Sequence, residues 1–393
     1  MFRVVTLCVL ACVASLTFAQ ASSPNLGSPS SPLQVVYVID GSSLTTYNVN
    51  PQTLQPTEVG ITSLPEWTYP DLATSPNGRI LYLTAFQNIS QQGEHLYVFH
   101  TNSSGMPNGQ PIESLSAKGV YSLQVDPTGK FLYVVQQGTG SNGYYPVAII
   151  RAVIDPATGK LSQPTAVANY QLETGTVFCS LSIFGMNATG TSLYDAISCS
   201  YPHGGAEVTY NERTVDPQTG ALGPDQQVLY WNNSSGGGQR VQFVKNLVFD
   251  FVVPNNYQQN VNELDIYALQ PNLTNPLIQC TYSMLPACGT DGGTTHPSAE
   301  YVFMFDFLGG EQVTTEIEKV DLSSKQIVST GSTIPYEVQQ FSPDGSIAYA
   351  ANDVNTALNI EIYGFNVANA QVTAGGSISI PSDLDSWFAV ERR

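Results

Sequence analysis

One pattern recurs along this chain, and four copies of it are plain: TSPNGRILYLTA from Thr74, VDPTGKFLYVVQ from Val125, MNATGTSLYDAI from Met186 and FSPDGSIAYAAN from Phe341. Each is a short apolar run, a tight turn ending in glycine, and a second run in which apolar and polar residues alternate. Further runs follow, often around a second turn such as DPATGK (155–160) or DPQTG (216–220). Four strands per unit at a spacing of about 45–60 residues is the signature of a β-propeller, in which blades bury their faces against one another. The expected fold is therefore all-β: a seven-bladed propeller of four-stranded antiparallel blades, in one domain over 33–393.

We letter the strands of a blade a to d from the channel outwards. VVYVI (35–39) matches ILYLT and FLYVV, which are b strands, so the first blade lacks an a strand at the N-terminal end. The C-terminal end offers DSWFAVE (385–391), an a-type run with nothing after it. The economical expectation is that this last strand completes the first blade, which removes two sheet edges that invite aggregation. Its Trp387 and Phe388 would stand on opposite faces. Gly78, Gly129, Gly190 and Gly345 end a–b turns where positive φ is required. In blade five Lys245-Asn246 replaces that turn, and in blade six HPSAE (296–300) does.

The N-terminus reads as a leader peptide over 1–21. Arg3 is the cationic start, 4–18 the apolar stretch, and Ala19-Gln20-Ala21 a small-residue cleavage site. A Ser/Pro-rich tether (22–32) follows. Export to a secreted or periplasmic location allows disulfides. Two of the six cysteines lie in the leader, and Cys179, Cys199, Cys280 and Cys288 remain, with three possible pairings. Cys179–Cys199 is favoured because both sit on consecutive strands of one repeat, and Cys280–Cys288 would then close a short loop. No CxxC or clustered histidine accompanies them, so no metal is expected. The formal net charge of −18 argues against nucleic acid or an anionic membrane surface, both of which need cationic protein surface. The apolar leader is too short for a stable span.

The set SPNGRILYLT, DPTGKFLYVV and SPDGSIAYAAN resembles the seven-bladed propellers grouped as lactonase-like or YVTN-repeat proteins, and the likeness covers essentially the whole chain after the leader. The resemblance implies kinship with a 6-phosphogluconolactonase and with cycloisomerases that make lactones from muconates. Those enzymes place Arg, His and Glu at the channel mouth, and no such set maps residue by residue onto this chain.

Aligning the repeats on their a–b turns gives one position per blade where strand a opens into the channel: Pro70, Tyr121, Ser182, Gln239, Asp291, Glu337 and Ser386. Trp67, Arg240, Tyr336 and Trp387 lie beside them. Trp67, Tyr121, Gln239, Tyr336 and Trp387 form a candidate ring for a hydroxyl-rich ligand. Hydrolysing a lactone needs a base for water and a cation for the oxyanion, which Glu337 or Asp291 and Arg240 could supply. The expected function is an exported module that binds a small polar ligand (a sugar or lactone) or another protein. The alternative is a hydrolase or cycloisomerase acting on a small lactone. No cofactor is expected, and the chain is expected to be a monomer.

Overall fold

A computed structural model describes residues 34–65, 71–85, 95–116, 119–140, 144–173, 177–201, 206–233, 238–253, 263–281, 292–306, 314–354, 357–380 and 387–392. These form seven four-stranded antiparallel sheets and no helix. Blade one comprises Trp387–Arg392, Gln34–Asp40, Ser43–Val49 and Pro56–Ser63 as strands a to d. Blade two comprises Leu72–Thr74, Ile80–Ala85, His95–His100 and Glu113–Ser116. Blade three comprises Val120–Val125, Phe131–Gln137, Tyr144–Val153 and Thr165–Glu173, and blade four Phe178–Met186, Ser192–Ser200, Ala206–Val215 and Leu222–Asn233. Blade five comprises Gly238–Val244, Leu247–Val253, Glu263–Ala268 and Ile278–Thr281. Blade six comprises Gly292–Thr295, Tyr301–Asp306, Thr314–Asp321 and Gln326–Ile334, and blade seven Glu337–Phe341, Ile347–Val354, Ala357–Asn366 and Gln371–Ile380.

The core is divided between the blades. Alternation sends Leu81 and Leu83 into a cluster with Val35, Tyr37 and Ile39 of blade one, while Tyr82 joins a cluster with Val125 and Val134 of blade three. The same division recurs around the molecule, and a cluster holding Val36 and Val38 with Ile347, Tyr349 and Ile360 joins blade seven to blade one. The sheets thus form a seven-bladed ring.

The a–b turns explain the repeat. Gly78, Gly129, Gly190 and Gly345 have φ of 65°, 72°, 69° and 74°. Lys245 and Ala299 adopt the same left-handed conformation at 57° and 60° in the two turns that lack glycine. Four residues after each of these six positions, strand b carries an aromatic ring: Tyr82, Tyr133, Tyr194, Phe249, Phe303 and Tyr349. Tyr37 is the counterpart in blade one, and all seven rings are fully buried. Their hydroxyls reach forward. Tyr37 donates to the Gly105 carbonyl at 2.7 Å, Tyr82 to Gly159 at 3.2 Å and Tyr133 to Gly220 at 3.0 Å, each in the c–d turn of the next blade.

The staple Cys179–Cys199 joins strands a and b of blade four, where the two residues stand directly opposite. Cys280, in strand d of blade five, is also disulfide-bonded. Its expected partner Cys288 lies outside the described residues, as do the leader, the tether, Pro70, Trp67, Asp291 and Ser386.

In blade one, Trp387 stands opposite Ile39 and Arg392 opposite Gln34, so strand a comes from the far end of the chain. Removing residues from Leu384 onward would leave strand b of blade one with an unpaired inner edge. That truncated protein is expected to aggregate or to lose most of its cooperative melting transition. A monomer with an unchanged melting temperature would show that the C-terminal strand does not hold the ring together.

Candidate functional site at the channel mouth

Strand a of each blade carries an unpaired backbone edge on its channel side, so the chemistry of the channel depends on which side chains lean over that edge. Arg240 of blade five and Glu337 of blade seven do so. Arg240 Nη1 lies 4.0 Å from Glu337 Oε1. Blades five and seven are not neighbours, so the pair spans strand a of blade six, which begins Gly292-Gly293. Those glycines are required by close packing. A Cβ on Gly292 would meet the Phe305 ring at 2.8 Å, and one on Gly293 would meet Phe251 at 2.4 Å.

Two buried polar side chains hold the pair in place. Gln242 is two residues from Arg240 and shares its face. Its Oε1 accepts from the Thr295 N–H at 2.6 Å and its Nε2 donates to Thr294 Oγ1 at 3.3 Å, which ties blade five to blade six. Thr315 of blade six donates its hydroxyl to the Tyr336 carbonyl at 2.6 Å and accepts from the Val338 N–H at 3.3 Å. The backbone on both sides of Glu337 is therefore fixed by one hydroxyl. Neither Gln242 nor Thr315 stands out in the sequence, since each is one of several polar residues in its strand. The only signal is a buried-strand position filled by an amide or hydroxyl.

The side chains of Arg240 and Glu337 keep 29% and 22% of their surface open to solvent, and protein surrounds the remainder. Desolvation raises the Glu337 carboxyl above its ordinary range, with Arg240 pulling the other way. Desolvation likewise lowers the Arg240 guanidinium, opposed by Glu337. Both charges are thus held partly out of water in a loose pair, at a separation longer than a hydrogen bond. An oxygen-rich ligand could supply what the two groups lack.

The other candidates are dispersed. Tyr121 is half-buried against the core between blades three and four, where its hydroxyl meets the backbone of Leu181, and burial pushes it up. Tyr336 packs beside the core between blades six and seven. Ser182 is in the middle of strand a of blade four, which is longer than its counterparts. Gln239 and Trp387 are placed in their strands by backbone only: Gln239 stands opposite Val252 and Trp387 opposite Ile39. Among the described residues no group of three or more His, Cys, Asp or Glu could hold a metal ion. His296 is a structural residue. Buried among Tyr301, Phe303, Phe341 and Phe365, it bonds the Gly345 carbonyl at 2.9 Å, and desolvation lowers its pKa.

One further carboxyl is buried without a role in the channel. Glu318, in strand c of blade six, is fully buried, and neither oxygen has a well-formed hydrogen bond among the described residues. Desolvation, reinforced by Glu316, pushes it up to about 7. Its folded pKa is above the unfolded value, so the folded state holds a proton that the unfolded chain releases. Stability is lost as pH rises from about 4.5 to 7. Glu318→Gln is expected to gain roughly 2–3 kcal/mol relative to the parent between pH 5 and pH 8. Denaturant melts at the two pH values check this, and a difference independent of pH would contradict it.

No protein-family model matches the chain, and no curated protein matches it. Solved structures do. A 6-phosphogluconolactonase-like protein from Bacteroides uniformis aligns over 91% of this chain and 99% of its own, with a TM-score of 0.58 at 12% identity. Its counterpart from Bacteroides fragilis aligns over 92% and 100%, with a TM-score of 0.59 at 13% identity. At such identity the likeness is one of fold.

Thr315→Val would leave the Tyr336 carbonyl and the Val338 N–H without partners. It is expected to lose about 1–3 kcal/mol of stability, whereas Thr315→Ser retains most of it. Equal melting temperatures for the two variants would contradict the hydroxyl's role. By its ring of seven four-stranded blades and its structural neighbours, the chain has the fold of the lactonase-like β-propellers.

Proposed function

We propose that the protein is an exported ligand-binding propeller whose channel mouth takes a small hydroxyl-rich molecule bearing a carbonyl or carboxyl group. The observation that carries this reading is the loose, partly desolvated pair of Arg240 and Glu337 drawn from two non-adjacent blades. The guanidinium suits the carbonyl or carboxylate oxygen, and the carboxylate suits ligand hydroxyls. Export to a secreted or periplasmic compartment is supported by the Cys179–Cys199 bridge, which persists in oxidising surroundings. Docking of another protein over the same mouth remains the broader form of this reading.

A second reading is hydrolysis of a small lactone, favoured by the upward shift of Glu337 beside a cation. Glu337 would take a proton from water as its oxygen attacks the lactone carbonyl carbon. Arg240 would face the developing oxyanion. The ring C–O bond then breaks, and the ring oxygen leaves as an alcohol with the proton from Glu337.

The test is a panel of sugar-derived lactones and their open acids, measured for binding by calorimetry and for turnover by acid release. Arg240→Gln and Glu337→Gln are each expected to weaken binding by about ten-fold or more while the protein keeps its cooperative unfolding transition. Any turnover should rise with pH through the raised pKa of Glu337, because only the carboxylate acts as base. Binding that neither variant alters would overturn both readings, and binding without turnover would leave the first alone.

A further inference from the structure

We propose a second binding site, for a neutral oligosaccharide, on the face of blade three that looks towards blade two. The site arises from a mismatch of strand lengths. Strand d of blade two has 4 residues, whereas strands c and d of blade three have 10 and 9. Blade two therefore covers only part of the facing sheet, and a cleft of 640 Å³ opens between them. That volume is within the range of small-molecule sites.

The chemistry of the cleft is uniform. Leu115 and Ile150 contribute apolar surface, Pro146 and Pro164 line the walls, and among the described residues no charged one lines it. In a chain of net charge −18 this is a distinct neutral patch. Gln136, Ala148 and Asn169 stand in a row across strands b, c and d of blade three. Gln163 and Asn169 also line the cleft, and their side-chain amides make no hydrogen bond among the described residues. Each amide both donates and accepts, which suits hydroxyl groups.

An aromatic ring stands beside the cleft. Tyr144 shares a face with Pro146 and Ala148 by strand alternation. It is 46% exposed, and its hydroxyl donates to Glu173 Oε1 at 3.2 Å, which orients the ring. A pyranose presents an apolar C–H face and a rim of hydroxyls, matching an exposed ring with neighbouring amides. The lining stands on a sheet face and presents side chains. Strand addition by an extended peptide would use the outer edge of strand d rather than this face. A polyanion would find no cation among the described lining residues.

The experiment measures binding of maltohexaose, cellohexaose and laminarihexaose to the full chain by calorimetry, beside an oligogalacturonate and a proline-rich peptide. At least one neutral hexasaccharide is expected to bind. Tyr144→Ala and Asn169→Ala should each weaken it by about ten-fold or more, and Arg240→Gln should leave it unchanged. Both substituted positions are exposed, so the variants are expected to melt as the parent does, and Asn169→Ala serves alone if Tyr144→Ala does not fold. The proposal is overturned if no neutral hexasaccharide binds, if only the peptide or the oligogalacturonate binds, or if both variants bind as the parent does. Because Arg240→Gln separates the two sites, failure here is distinguishable from failure at the channel.

Discussion

Everything in this structure depends on one buried aromatic ring per blade, pressed against the next blade and, in blades two to seven, placed four residues after a left-handed turn residue. A four-stranded sheet has two apolar faces and cannot bury either alone. The ring fills the space between sheets, and burial of one such side chain is worth roughly 1.5–3 kcal/mol. In blades one to three the tyrosine hydroxyl also latches onto the following c–d turn. From blade four onward the device changes. Tyr194 stacks on Phe243 of blade five at 4.4 Å. Phe303 meets Phe341 and Phe365 of blade seven at 4.7 and 5.1 Å. Tyr301, two residues earlier on the same strand, takes over the latch by donating to the Val367 carbonyl at 2.7 Å.

The channel site follows from the same packing. Blades five, six and seven are joined by tightly fitted aromatic rings, and the glycines of blade six exist because Phe305 and Phe251 occupy the space a side chain would need. A glycine-paired inner strand places no side chain between its neighbours at the mouth. Arg240 and Glu337 can then approach across it, and the hydroxyl of Thr315 and the amide of Gln242 keep their backbones in register. Charges held this way are costly to desolvate and are not relieved by their own contact. That is the physical reason for regarding the pair as a place for a ligand rather than as a structural ion pair. Asp195 and Arg213 in blade four make the contrast. Their 2.6 Å bond is completed by Asn211 and Tyr170, so that pair is satisfied and closed.

The fold was legible because its determinants are local. A turn ending in glycine, an alternating strand and a tyrosine at a constant offset recur at readable spacing, and they give blade number and strand order. Even the degenerate turns were locatable, although Lys245 and Ala299 hide the left-handed position that glycine announces elsewhere. The site was legible only in part. Aligning repeats marks the height of a residue along the channel but not the direction of its side chain. Tyr121 and Glu337 occupy the same aligned position, yet Tyr121 turns into the wall between blades while Glu337 meets Arg240. The cleft beside blade three was not legible at all, since it is made by the shortness of a strand in a different repeat.

The central claim is that Glu337 is held out of water and coupled to Arg240 across blade six. The direct measurement is a carbon-13 carboxyl NMR titration of glutamate-labelled protein, with the Glu337 signal assigned by its loss in Glu337→Gln. The account predicts a Glu337 titration above the ordinary value of 4.5, moving higher still in Arg240→Gln because the opposing cation is gone. An ordinary titration that Arg240→Gln leaves in place would contradict it.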